Sequence, residues 1–174
     1  EYIALGQAFW VSTTGSGTDI TIDELAKIAG TSTTFYRTQA KKTIDRLTIA
    51  LSNGTVTDKT AIRLDSRAKT TFDRFDGVKL DNQLFDISTL SKDSVSLIVN
   101  ATDSVSCGSV IKIKTKDMTA GSYTMSFTTE GVFNQYTLML KDAYTGQNVS
   151  TAQPYSFTVD ASEASQALDR FQLL

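Results

Sequence analysis

Ala120-Gly-Ser-Tyr-Thr-Met-Ser-Phe-Thr-Thr129 sets Tyr123, Met125 and Phe127 at every second position, with small or hydroxyl-bearing residues between them. Successive side chains of an extended strand point to opposite faces, so this run predicts a strand with one dry and one wet face. The same period recurs in residues 136–142, where Leu138 and Leu140 share a face, and in 155–160, through Tyr155, Phe157 and Val159. In residues 109–115, Ile111 and Ile113 alternate with Lys112 and Lys114. One-sided burial of this kind is the habit of antiparallel sheets.

Further strands are predicted over residues 6–12, 18–22, 45–52, 60–65, 83–88, 95–100 and 170–174. Turn signals separate them at Gly15/Gly17, Asn53-Gly54, Asp76-Gly77, Cys107-Gly108, Gly131 and Gly146. About eleven short strands spaced by turns spell an all-β chain folded as an antiparallel β-sandwich, jelly-roll or immunoglobulin-like. Two stretches are candidate short helices. Residues 23–29 carry an N-terminal acid, apolar positions at Leu25, Ile28 and Ala29, and Gly30 as a stop. Residues 66–75 read as a short helix or an irregular loop.

Composition agrees with a β protein. The chain has 174 residues, of which 26 are Thr and 18 Ser, beside 10 Gly and one Pro. Thr is β-branched and suits a pleated, half-exposed surface. At this length folding buries about 70% of the surface of the unfolded chain, enough for a core without metal or disulfide. There is neither an obvious repeat nor a Pro/Gly-rich linker, so one continuous unit over 1–174 is expected. The alternative is a pair of sub-sandwiches meeting near 77–82, where Asp76-Gly-Val-Lys-Leu-Asp-Asn82 interrupts two groups of strands.

Charge and residue usage remove several chemistries. Seventeen Lys and Arg against nineteen Asp and Glu leave −2, which argues against a nucleic-acid footprint and a polybasic membrane surface. Histidine is absent, excluding His metal sites, Ser-His-Asp and Cys-His catalysis. The single cysteine, Cys107, permits no internal disulfide and reads as a small buried or turn residue. No apolar run approaches the ~20 residues of a spanning helix. No signal-peptide pattern opens the chain; a signal peptide, if there was one, has been removed or lies outside these residues.

The remaining constellations are weak. Gly15-Ser16-Gly17 lacks the Lys-Ser/Thr of a phosphate loop and reads as a hairpin turn. Asp58, Asp65, Asp73 and Asp76 form a candidate calcium set, but Lys59, Arg63, Arg67, Lys69 and Arg74 interleave with them. Surface pairing and loop capping are the preferred account, and no cofactor is expected. Asn-x-Ser/Thr matches at Asn53, Asn100 and Asn148 arise by chance in so hydroxyl-rich a chain. Phe9, Trp10, Phe35 and Tyr36 are candidates for a sugar-stacking surface, although alternation sends one ring of Phe9-Trp10 inward.

Four groups of segments, in order, resemble a module of large Bacteroidota surface proteins exported by the type IX secretion system, of the gliding-motility and adhesin-like kind. They are Ile3-Ala-Leu-Gly-Gln-Ala-Phe-Trp-Val11, then Thr34-Phe-Tyr-Arg-Thr38, then a run from Arg46 to Gly54 continued by 59–65 and 71–80. The last group comprises Gly121-Ser-Tyr-Thr124, 138–146, Tyr155-Ser-Phe-Thr158 and Asp169-Arg-Phe171. Ala8 stands where that family carries a second Gly, Lys59 where it carries an acid, and Lys69-Thr70-Thr71 where acid and glycine are usual.

The resemblance implies an extracellular, outer-membrane-associated, non-catalytic module serving as spacer, stalk or binding head in adhesion or gliding motility. Its implied partners are the type IX machinery, outer-membrane attachment factors, neighbouring modules of the same chain and surface polysaccharide, with no nucleic acid. It implies that residues 1–30 close a preceding module and that a sorting domain follows Leu174. It also makes Asp93-Ser94-Val95 and Asp103-Ser104-Val105 candidate O-glycosylation sites, at Ser94 and Ser104; the plain alternative is two Asp-Ser turns flanking the 95–100 strand. The rival expectations are an accessory carbohydrate-binding module of a secreted hydrolase, marked by exposed aromatics, and an enzyme fragment, marked by a polar cleft with converging carboxylates.

Overall fold

A computed structural model describes residues 44–174 together with Val11 and residues 21–23. The chain divides into two compact units, Glu1–Lys42 and Thr43–Leu174, and every strand among the described residues belongs to the second. The strands expected at 6–12 and 18–22 and the helix expected at 23–29 lie, all but a few residues, outside the described part, as does any closure of a preceding module by 1–30.

Alternation acts first at β1, Arg46–Ser52, where Leu47, Ile49 and Leu51 are fully buried and the residues between them are half-exposed. The chain turns at Asn53, whose Oδ1 accepts the N–H groups of Thr55 and Val56 at 3.0 and 2.8 Å. It returns antiparallel as β2, Thr57–Leu64. An irregular loop follows over 65–76, with no helix. Then come β3 (Gly77–Val78), β4 (Asp86–Leu90), β5 (Ser96–Thr102) and β6 (Ile111–Lys116). The alternating stretch around Tyr123 becomes β7, Gly121–Glu130, with Tyr123 and Met125 buried and Phe127 packed against the same core. A one-turn 3-10 helix at Gly131–Gln135 leads to β8 (Met139–Asp142), β9 (Gln147–Ser150), β10 (Tyr155–Val159) and β11 (Phe171–Leu173).

Gly131 is required where it stands. Its φ is +64°, and a Cβ there would lie 2.1 Å from Oδ1 of Asp45, the same oxygen that accepts the Val132 N–H at 2.8 Å. The glycine lets the backbone close onto the carboxylate that pins the end of β7.

All the described strands join in one sheet, ordered β10-β7-β1-β2-β5-β4-β6-β11-β8-β9, with β3 added to β5. One pairing departs from the antiparallel expectation: β2 and β5 run parallel, Ala61 opposite Val99. A parallel neighbour needs a long crossover, and residues 65–95, including β3 and β4, supply it. The sheet is therefore mixed. It is also curled nearly into a barrel: the Phe157 ring of β10, at one end, lies 4.9 Å from Phe171 of β11 near the other. One hydrophobic cluster fills the inside, drawing on β1, β2, β4, β6, β7, β8, β10 and β11.

Candidate functional site

A cleft of about 550 Å³ is walled by the turn after β4, the end of β5, the loop that follows it and the start of β6. The turn is held by Ser91, whose Oγ accepts the Val95 N–H at 3.0 Å while its backbone pairs with Val95. That geometry brings Ser94 to the cleft with φ at +67°. On the wall, Asn100 donates its Nδ2 to the Leu90 carbonyl at 3.2 Å, leaving its amide oxygen without a partner among the described residues. Ser104 lines the same cleft, so the two serines singled out in the sequence lie on one feature although ten residues separate them. Lys92 and Lys112 also line it, neither in an ion pair with a described residue, and no Asp or Glu is among its described lining residues. The cleft offers hydroxyls, one carboxamide oxygen and two ammonium groups beside the apolar side chains of Leu90, Val105, Val110 and Ile111. That set can hold a polar, negatively charged molecule.

Lys112 also begins a row on the outer face of the sheet. In register it sits beside Gln172 of β11, Gln172 beside Lys141 of β8, and Lys141 beside Asn148 of β9. The neighbours of these residues along the strands, Ile113, Phe171, Leu173, Leu140 and Asp142, are buried, so the row itself points outward. None of the four side chains hydrogen-bonds or ion-pairs with another described residue.

A smaller, mostly apolar depression of about 340 Å³ shares Val105, Ser109 and Ile111 with the cleft and is bounded by Phe133, Leu138 and Leu173. Cys107 is exposed on its rim, in a turn completed by Gly108 at φ +89°.

The four carboxylates of the calcium set are spent separately. Asp58 Oδ2 accepts Lys79 Nζ at 2.6 Å and the Ile87 N–H at 2.8 Å. Asp65 takes Arg63 and Arg67 at 3.0 and 2.8 Å. Asp73 caps the N–H groups of Lys69 and Phe75, while Asp76 ties the loop to β5 through the Ala101 N–H at 2.8 Å. Asn53 is a turn residue, as its Gly54 neighbour implied, and Asn148 is exposed on β9. Gly15, Ser16, Gly17, Phe9, Trp10, Phe35 and Tyr36 lie outside the described residues.

Two buried polar clusters escaped the sequence reading. Arg170 and Asp142, both fully buried, form a two-pronged ion pair at 2.9 and 2.7 Å, and Tyr155 donates its hydroxyl to the same carboxylate at 2.9 Å. Lys79, nearly buried, lies between Asp58 and Asp86. Burial pushes the Asp142 carboxyl up, but the Arg170 guanidinium and the Tyr155 hydroxyl outweigh it and hold the group below the ordinary range. Hydrogen bonds from the Ser162 and Tyr144 hydroxyls lower Asp160 to about 2, and the Arg67 side chain holds Asp65 well below its usual range.

These shifts set the acid limit of the fold. A carboxylate depressed in the native state stabilises it above the unfolded pKa, near 4, and that contribution is lost as pH falls through the folded value. Thermal melts should therefore give a flat midpoint from pH 7 to about 5 and a steep fall between about pH 4 and 2. A midpoint that holds or rises down to pH 2 would contradict the assignment.

No curated protein and no solved structure matches the chain. Residues 1–174 match the profile of the family described as Domain of unknown function (DUF8693), and the chain belongs to that family.

Proposed function

We propose that the protein is a non-catalytic β module of a secreted, cell-surface adhesin-like protein of a Bacteroidota bacterium, exported by type IX secretion. In it the module serves as spacer or binding head in adhesion or gliding motility, in contact with outer-membrane attachment factors and neighbouring modules. The observation that supports this reading is a continuous sheet around one core, beside a cleft whose described lining offers hydroxyl, amide and ammonium groups and no carboxylate. A sheet of this kind resists shear through its backbone ladders, and loops on its edge carry recognition. The finer architecture proposed is a sandwich: β8, β9 and β11 face β7 and β10 across the core, joined at the open end by side chains. An experimental structure in which β9 and β10 pair by backbone hydrogen bonds would make it a closed barrel instead.

Ser94 and Ser104 are proposed as O-glycosylated in the native protein, their sugars seated at the mouth of the cleft; an unshifted intact mass of native material would end that proposal. The cleft equally favours a second reading, an accessory carbohydrate-binding module of a secreted hydrolase, which a catalytic domain in the flanking sequence would establish. Surface display is tested on intact cells producing the parent protein with an epitope inserted in the module. External protease should remove the epitope in cells with an active type IX system and spare it in cells lacking one. Protection in both would sink the surface assignment.

A further inference from the structure

We infer that the cleft and the outward row Lys112–Gln172–Lys141–Asn148 form one continuous binding track for an extended acidic polysaccharide, whose carboxylate or sulfate groups pair with Lys92, Lys112 and Lys141. The inference rests on the binding-head part of the proposed function and names its ligand class.

Three observations carry it. Lys112 belongs to both features, lining the cleft and opening the row, so the two are physically continuous. The row crosses four strands, and three steps of ~4.8 Å give a ladder of about 14 Å with a polar group on every rung. An evenly spaced ladder of this kind fits a polymer with repeating polar groups better than a compact ligand. Finally, these side chains are uncommitted: elsewhere Lys79 and Lys116 are engaged with Asp58, Asp86 and Asp81, whereas Lys92, Lys112 and Lys141 have no such partner among the described residues. Ammonium groups without a described partner, next to hydroxyls and amides and with no acid among the described lining residues, favour an anion carried on a polyol. No described aromatic side chain lines the cleft or stands in the row, so neither offers the stacking platform that nucleic-acid bases use.

Affinity electrophoresis of the unmodified 174-residue chain tests this in gels holding polygalacturonate, heparin, dextran or single-stranded DNA, at low salt and at 0.5 M salt. Retardation is expected with polygalacturonate or heparin and not with dextran, and should vanish at high salt; whichever polymer retards the chain identifies carboxylate or sulfate as the recognised anion. Lys112→Gln and Lys141→Gln should each weaken the interaction roughly threefold, and together about tenfold. Lys59→Gln, an exposed lysine on β2, should leave it unchanged. Absence of retardation by both acidic glycans, equal retardation by dextran or DNA, or an equal effect of Lys59→Gln would overturn the inference. Because binding is read on the purified chain and display on cells, failure of one leaves the other standing.

Discussion

Arg170→Met is expected to lower stability by about 3–5 kcal/mol, because it strands a fully buried carboxylate. Arg170 is among the largest fully buried side chains, and its guanidinium is satisfied on every side. Nε and Nη2 hold both oxygens of Asp142, and Nη1 donates to the Ser165 carbonyl at 3.0 Å. The planar group also lies 4.8–4.9 Å from the rings of Tyr144, Phe157 and Phe171. The site fastens β8 and the approach to β11 against β10, where the curled sheet has no backbone ladder to close it. Methionine fills most of the volume but leaves Asp142 with only Tyr155 and two N–H groups, from Tyr144 and Thr145. Arg170→Met/Asp142→Leu should regain much of the loss, since a buried pair contributes little beyond a well-packed apolar replacement. It should not regain all of it, because the Tyr155 hydroxyl and the Tyr144 N–H then lose their acceptor. Urea titrations monitored by fluorescence measure both, with an unchanged slope required for the comparison. A single variant within about 1 kcal/mol of the parent would show that the cluster does not fasten the sheet.

The residues of that cluster show what could and could not be read from the chain. Strand faces were legible wherever a two-residue period ran unbroken, as at Tyr123-Met125-Phe127 and Tyr155-Phe157-Val159, because alternation is a local property. Pairing was not. A strand destined for a parallel neighbour alternates like any other, so nothing in Thr60 to Leu64 announced β5 as its partner. The run 83–88 misled through its hydrophobicity: Leu84 is 59% exposed, whereas Asp86 is buried. Asp86, the first residue of β4, is buried beside Lys79, whose Nζ lies 3.3 Å from it. β9 was missed because only Val149 is apolar in Gln147–Ser150. Ser94 and Ser104 were named on a three-residue pattern, but their sharing one cleft depends on the turn at 91–95 folding back on β5. The lysine row depends on the register of four strands drawn from three parts of the chain. Segments 138–146, 155–158 and 169–171, quoted for a family resemblance, meet at Asp142, Tyr155 and Arg170, a convergence that no spacing along the chain encodes.

Lys79→Met should be as damaging as the loss of Arg170, and for a sharper electrostatic reason. The Lys79 side chain is 4% exposed, with Nζ 2.6 Å from Asp58 Oδ2 and 3.3 Å from Asp86 Oδ1. Each carboxylate has one further tie, Asp58 to the Ile87 N–H and Asp86 to the Asn82 N–H. With the ammonium present the trio carries a net −1; without it two nearly buried negative charges face each other at −2. The expected loss at pH 7 is again about 3–5 kcal/mol, or roughly 10 °C in midpoint for a domain of this size. If repulsion is the cause, adding Asp86→Asn to Lys79→Met should restore part of the loss, because the amide oxygen still accepts the Asn82 N–H while one charge disappears. Asp86→Asn alone should cost little, since Lys79 keeps Asp58. A purely steric role for the lysine stem predicts the opposite pattern: no rescue by Asp86→Asn, and full stability in a Lys79→Met variant that packs as well as the parent. Thermal melts of the three variants beside the parent separate the two, and a Lys79→Met midpoint within a degree of the parent would remove the electrostatic account.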